Sequence, residues 1–216
     1  MKKIISVGLL SAAMLSSLNA HAAKAELKLI GTITPAACVP NFAGGSIIDY
    51  GNIPAGTLNA TAQTNLPIKS TTINITCDAP TTFYLKPADE RAGTVAAGVM
   101  PPNAGATTVY GLGAAPNAAN IGSYIVSITG GLADTGTTSR THSLDGGATW
   151  ALWGGQFRNN GTQLISFTNG SNANPAPHTS ITADITVVAS LAPANSLPLA
   201  NEIALDGLTT VEVVYP

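Results

Sequence analysis

The stretch Ile181 to Leu191 restricts the fold more than any other in the chain. Ala183, Ile185, Val187, Ala189 and Leu191 recur at every second position, and a period of two places them on one face of a strand. The same period returns in Thr71 to Cys77, where Ile73, Ile75 and Cys77 oppose Asn74 and Thr76. It returns again in Ile121 to Thr129 through Tyr124, Val126 and Ile128, and in Thr209 to Pro216 through Val211, Val213 and Tyr215. Shorter strands are expected at Phe83 to Leu85 and Leu164 to Phe167, with a short apolar piece at Ile47 to Tyr50. Lys86 to Asn120, rich in Ala, Gly and Pro, reads as long loops with at most one strand, at Val109 to Leu112. Gly130 to Thr141 reads as a Gly/Thr-rich turn region. Outside the first residues no window carries a helical period, so the expectation is an all-β chain.

Residues 1–22 read as a secretory signal: Lys2 and Lys3 precede an apolar run, Ile4 to Leu15, that is too short to span a bilayer. Ala20-His-Ala22 supplies the small-x-small cleavage site. Cleavage there would leave 194 of the 216 residues and export them as a soluble product. Without Lys2 and Lys3 the nine basic residues fall to seven against eleven acidic ones, a net charge of −4. No basic run remains for nucleic acid or anionic lipid to grip, which excludes nucleic acid as a partner. The only two cysteines, Cys38 and Cys77, read as a disulfide in an exported chain. Charged residues make up 9% of the chain, against about a quarter in an ordinary domain. Thr, Asn, Ser and Gly must then form most of the polar surface, which tolerates packing against copies of itself.

Seven or more short strands with one disulfide point to a single β-sandwich of immunoglobulin type over 37–216. Ahead of it, Leu27, Leu29, Gly31 and Ile33 share one side of an extended segment and Lys28 and Thr32 the other, which predicts a half-buried strand ending at Pro35. Strong strands at both ends leave sheet edges that template association unless something covers them.

Three features occur together here: Gly31-Thr-Ile-Thr-Pro-Ala-Ala-Cys38, a second cysteine in Ile73-Asn-Ile-Thr-Cys77, and the penultimate Tyr215 on an alternating strand. In this combination the chain resembles the chaperone–usher pilus subunits of Gram-negative bacteria. Ile48-Asp-Tyr-Gly51, Thr76-Cys-Asp-Ala-Pro80, Asp89-Glu-Arg-Ala-Gly93, Tyr110-Gly-Leu-Gly113 and Leu197-Pro through Leu205-Asp-Gly207 resemble a narrower group, the major subunits of beta-fimbriae. The resemblance implies an incomplete immunoglobulin-like sandwich that lacks its last strand. A periplasmic chaperone would fill the groove first, anchoring the carboxylate of Pro216. At an outer-membrane usher, the N-terminal strand of the next subunit would replace it. Leu27, Leu29, Gly31 and Ile33, in an extension over 23–36, would be the donor residues. Val211, Val213 and Tyr215 would form one wall of the acceptor groove, and the strand near Cys38 the other. Head-to-tail donation does not close, so it builds a filament on the cell surface.

Ser143-Leu-Asp-Gly-Gly-Ala-Thr-Trp150 fits the Asp-box pattern. In that pattern Ser143, Asp145, Gly147 and Thr149 tie a tight hairpin while Trp150 packs beneath. Trp150 and Trp153 could still offer a stacking surface for a sugar, so a self-contained secreted or periplasmic sandwich that binds a ligand such as a glycan is the competing reading. Asp89 and Glu90 are adjacent and point apart on an extended chain, unlike an acid–base pair, and Asp89 to Gly93 reads as a turn with Arg91 paired to a carboxylate. His142 and Ser143 fail as a triad for the same reason. His142 and His178 have no ligand spacing to the cysteines. The expectation is a structural, non-enzymatic subunit with no cofactor and no metal.

Overall fold

The computed structural model describes residues 28–32 and 37–216. The expected secretory leader, residues 1–22, and the expected donor positions Leu27 and Ile33 lie outside the described residues. The chain divides into two compact units, Met1–Thr34 and Pro35–Pro216. In the first, residues 28–32 are irregular, with Leu29 98% exposed. The half-buried strand expected there is not formed at Leu29 and Gly31, because alternation makes a strand only where a neighbouring edge takes up its hydrogen bonds.

Among the described residues of the second unit, eleven strands pair antiparallel into one winding sheet. They are β1 (Cys38–Ala43), β2 (Thr64–Asn65), β3 (Lys69–Thr81), β4 (Tyr84–Asp89), β5 (Tyr110–Gly111), β6 (Gly122–Ala133), β7 (Gly136–Ser143), β8 (Ala151–Leu152), β9 (Leu164–Asn169), β10 (His178–Leu191) and β11 (Thr209–Val214). The order along the sheet is β1-β3-β10-β6-β7-β9-β4-β11, with β2, β5 and β8 attached at its sides.

The centre is β10, whose alternation is the strongest in the sequence. It pairs with β3 through Ile181↔Ile75 and Ala183↔Ile73, and with β6 through Ile185↔Ile128 and Val187↔Val126. Ile73, Ile75 and Ile128 are fully buried. They share one core with Leu85 of β4 and with Ile165 and Phe167 of β9, so the strands on both sides of the β6–β7 hairpin close on the same apolar interior. Each such side chain stabilises the fold by roughly 1.5 to 3 kcal/mol. Cys38 and Cys77 stand opposite each other in the β1–β3 register and are disulfide-bonded.

Three local expectations are corrected. The turn region expected at 130–141 is instead the end of β6 and most of β7, a full strand that runs on to Ser143. β4 runs on to Asp89, into the expected loop, where it gains β11 as a partner. Ile47 to Tyr50 forms no strand, and Ile47 is 82% exposed.

Candidate functional site

The two ends of the sheet order, β1 and β11, carry the free edges that matter. β11 forms because Thr209-Thr-Val-Glu-Val-Val is almost entirely β-branched. It lies against β4 through Val211↔Pro87 and Val213↔Leu85. Val211 and Val213 are half-buried against the core, while Thr210 and Glu212 face solvent.

The ladder shows where the backbone groups point. Glu90 N–H donates to Leu208 C=O at 3.0 Å, one step before β11. In an antiparallel pair, residues exchanging hydrogen bonds alternate with residues that do not. Thr210 and Glu212 therefore turn their backbone groups to β4, and Val211 and Val213 turn theirs outward. Among the described residues no strand takes them. β11 thus presents a free edge directly above the core.

β1 follows the same logic. Asp78 N–H donates to Ala37 C=O at 3.1 Å. By alternation Cys38, Pro40 and Phe42 then direct their backbone groups away from β3. Pro40 has no N–H to offer, which is where a proline is tolerated in an edge strand. The Phe42 carbonyl already accepts from Gly45 N–H at 3.2 Å. The Cys38 N–H donates to the Tyr215 hydroxyl at 2.7 Å, a side-chain bridge between the two ends of the sheet. Pro216 follows, exposed.

At its start β11 is held by a polar clip. Arg91 donates to Asp206 from Nε at 2.8 Å and from a terminal nitrogen at 3.1 Å. This contact keeps the Asp206 carboxyl below the usual carboxylate range and the Arg91 guanidinium above its own. Asp89 accepts from the N–H groups of Arg91 at 2.8 Å and Gly111 at 2.9 Å, and its burial still pushes its pKa up. The Tyr124 and Thr209 hydroxyls share a hydrogen bond at 2.8 Å, and burial pushes the Tyr124 phenol up. Gly111 is required here, since a Cβ would stand 2.0 Å from the Arg91 carbonyl oxygen. The expectation that Arg91 pairs with a carboxylate is met. Its partner, Asp206, is far off in sequence and is drawn in by the fold. Three separate sequence segments, Asp89 to Gly93, Tyr110 to Gly113 and Leu205 to Gly207, meet in this one cluster.

The Asp-box is the local hairpin its pattern predicts. The Ser143 hydroxyl donates to Asp145 at 2.6 Å, and Thr149 donates from its hydroxyl at 2.6 Å and its N–H at 2.9 Å. These bonds hold the Asp145 carboxyl far below the usual range. Gly147 N–H donates to Ser143 at 2.8 Å, and Trp150 Nε1 returns a bond to the Gly147 carbonyl at 3.0 Å. Trp150 packs on Tyr84 with ring centroids 4.8 Å apart, and Trp153 stacks on His142 at 5.2 Å. Both indoles are thus engaged within the fold. Between this hairpin and the end of β11 lies a shallow, mainly apolar depression of about 480 Å³, lined by Leu144, Asp145, Gly146, Leu164, Lys86 and Val214. The Asp145 carboxylate is already spent on the hairpin and is not free to serve it.

The triad is not assembled. His142 Nδ1 lies 3.1 Å from the Gln163 side-chain amide, while Ser143 is buried and committed to Asp145. Among the described residues no three His, Cys, Asp or Glu side chains are grouped to hold a metal.

The family described as a protein of unknown function (DUF1120) matches residues 27–125. Protein GltF of Escherichia coli (strain K12) is 35% identical over 134 residues, which cover 55% of this chain and 53% of GltF. The match therefore spans about half the length of that relative. The uncharacterised protein YhcF of the same organism is 25% identical over 209 residues, covering 85% of this chain and 87% of YhcF. Neither name refers to a fimbria. The family match begins at Leu27, the first residue of the N-terminal alternation, and runs through β1, β3, β4 and the clip residues Asp89, Arg91 and Gly111.

Proposed function

We propose that the chain is a structural subunit of a chaperone–usher pilus, an incomplete immunoglobulin-like sandwich completed by donor strands. One observation carries this reading. β11 lies over the core with the backbone of Val211 and Val213 facing outward and unmatched among the described residues. An extended segment with apolar residues at alternate positions fits such an edge by β-augmentation.

The strand order supports it. Lettered as an immunoglobulin domain, β1-β3-β10-β6 follows A-B-E-D, and β4-β11 follows C-F. The place beyond β11 belongs to strand G. Leu27, Leu29, Gly31 and Ile33 of a second copy are the donor positions in this reading, and a periplasmic chaperone holds the same edge before an outer-membrane usher presents the donor. The product is a head-to-tail fimbria outside the cell. The cysteine pair staples β1 to β3 and takes no part in chemistry.

The test is polymer growth. Purified chain, incubated at rising concentration, is expected to form oligomers in a ladder and then filaments visible by electron microscopy. Deleting residues 23–36 should abolish both. Unchanged growth without them would overturn the reading.

A further inference from the structure

We propose that the Tyr215 hydroxyl is a latch on the strand-binding groove, occupying the Cys38 N–H until an incoming strand displaces it and so setting the rate of strand insertion. The inference rests on the reading above of β1 and β11 as the walls of that groove.

The free edge of β1 is poor in donors. Of the residues whose backbone faces outward, Cys38, Pro40 and Phe42, the proline offers no N–H, so two remain. One of these two, at Cys38, is bound at 2.7 Å to a side chain 177 residues away. Cys38 itself cannot swing aside, because it is paired with Cys77 in the register and bonded to it. Tyr215 is not anchored in that way. It follows the last residue of β11 and is 45% exposed, so its ring is free to rotate outward without opening the core. The bridge therefore joins a rigid donor to a movable acceptor across the gap between the two strands. An extended segment pairing with Val211 and Val213 has to enter that gap, and its carbonyl replaces the phenol oxygen at Cys38. The occupant is the alternating segment 23–36 of a second copy, whose apolar residues suit the half-buried Val211 and Val213.

The test compares the full chain, isolated as monomer, with its Tyr215→Phe variant, which keeps the ring and loses only the hydroxyl. A fluorescent peptide of residues 23–36 is the probe. Losing one neutral hydrogen bond corresponds to a roughly 2- to 10-fold effect. The variant should bind the peptide faster by about that factor while its melting temperature falls by no more than a few degrees, and the Cys38 amide of the free variant should exchange with solvent faster by a similar factor. Equal association rates, or equal Cys38 exchange, would overturn the latch while leaving the groove intact. No peptide binding by either protein would overturn the groove, and the latch with it.

Discussion

At the scale of single residues, the Asp145 carboxylate and the buried His178 make the stability of the fold depend on pH. Asp145 ties Ser143 and Thr149 together across one turn, and its charged form is the one the fold prefers. Its folded pKa lies below the unfolded one, so this stabilisation is present above about pH 4 and is lost as the pH falls toward the folded value. Asp145→Asn should lower the melting temperature at neutral pH, and the gap from the parent should narrow on acidification. A pH series of thermal melts checks both. His178 acts in the same pH direction by a different route. It is buried, its Nε2 has no hydrogen-bond partner, and burial lowers its pKa. The unfolded chain takes up that proton first, so stability should fall as the pH drops below about 6.5, and His178→Gln should flatten this limb of the same series. Gly111→Ala is expected to cost about 1 to 3 kcal/mol in urea unfolding, because the new methyl meets the Arg91 backbone.

At the scale of elements, what could be read from the sequence was what hydrophobic alternation wrote into it. β3, β6, β10 and β11 carry Ile and Val at period two, and the structure places them where that period predicts. β7 escaped because its buried members are Thr138, Thr141 and Ser143, which satisfy themselves by hydrogen bonds and leave no apolar trace. The Thr138 hydroxyl donates to the Thr168 carbonyl, and the Thr141 hydroxyl to that of Ala151 at 3.0 Å. The Asp-box was legible because all its partners lie within eight residues. The clip was legible only by half. Arg91 called for a carboxylate, but Asp206 is 115 residues away and no local rule selects it. The free edge of β11 had the same character, since Val211 and Val213 were visible and the direction of their backbone groups was not. The β1–β3 staple encloses a separation of 39 residues, and replacing both cysteines with serine should cost about 4 kcal/mol by denaturant unfolding.

At the scale of the whole molecule, these elements add up to a sheet whose two end strands, β1 and β11, keep free edges among the described residues. Val213→Asp places a charge on the free edge of β11 and, under the proposed assembly, is expected to abolish oligomer growth while the isolated chain keeps its far-UV circular dichroism. The low charge of the chain suits such assembly, because little repulsion opposes copies that pack side by side. The most direct measurement is thermal unfolding of two proteins: residues 37–216 alone, and the same residues with the segment 23–36 joined after Pro216 by a flexible linker. The account predicts that the first is marginal or aggregates and that the second is a monomer with a much higher melting temperature. Equal melting of the two would show a fold complete without the added strand, and would contradict it.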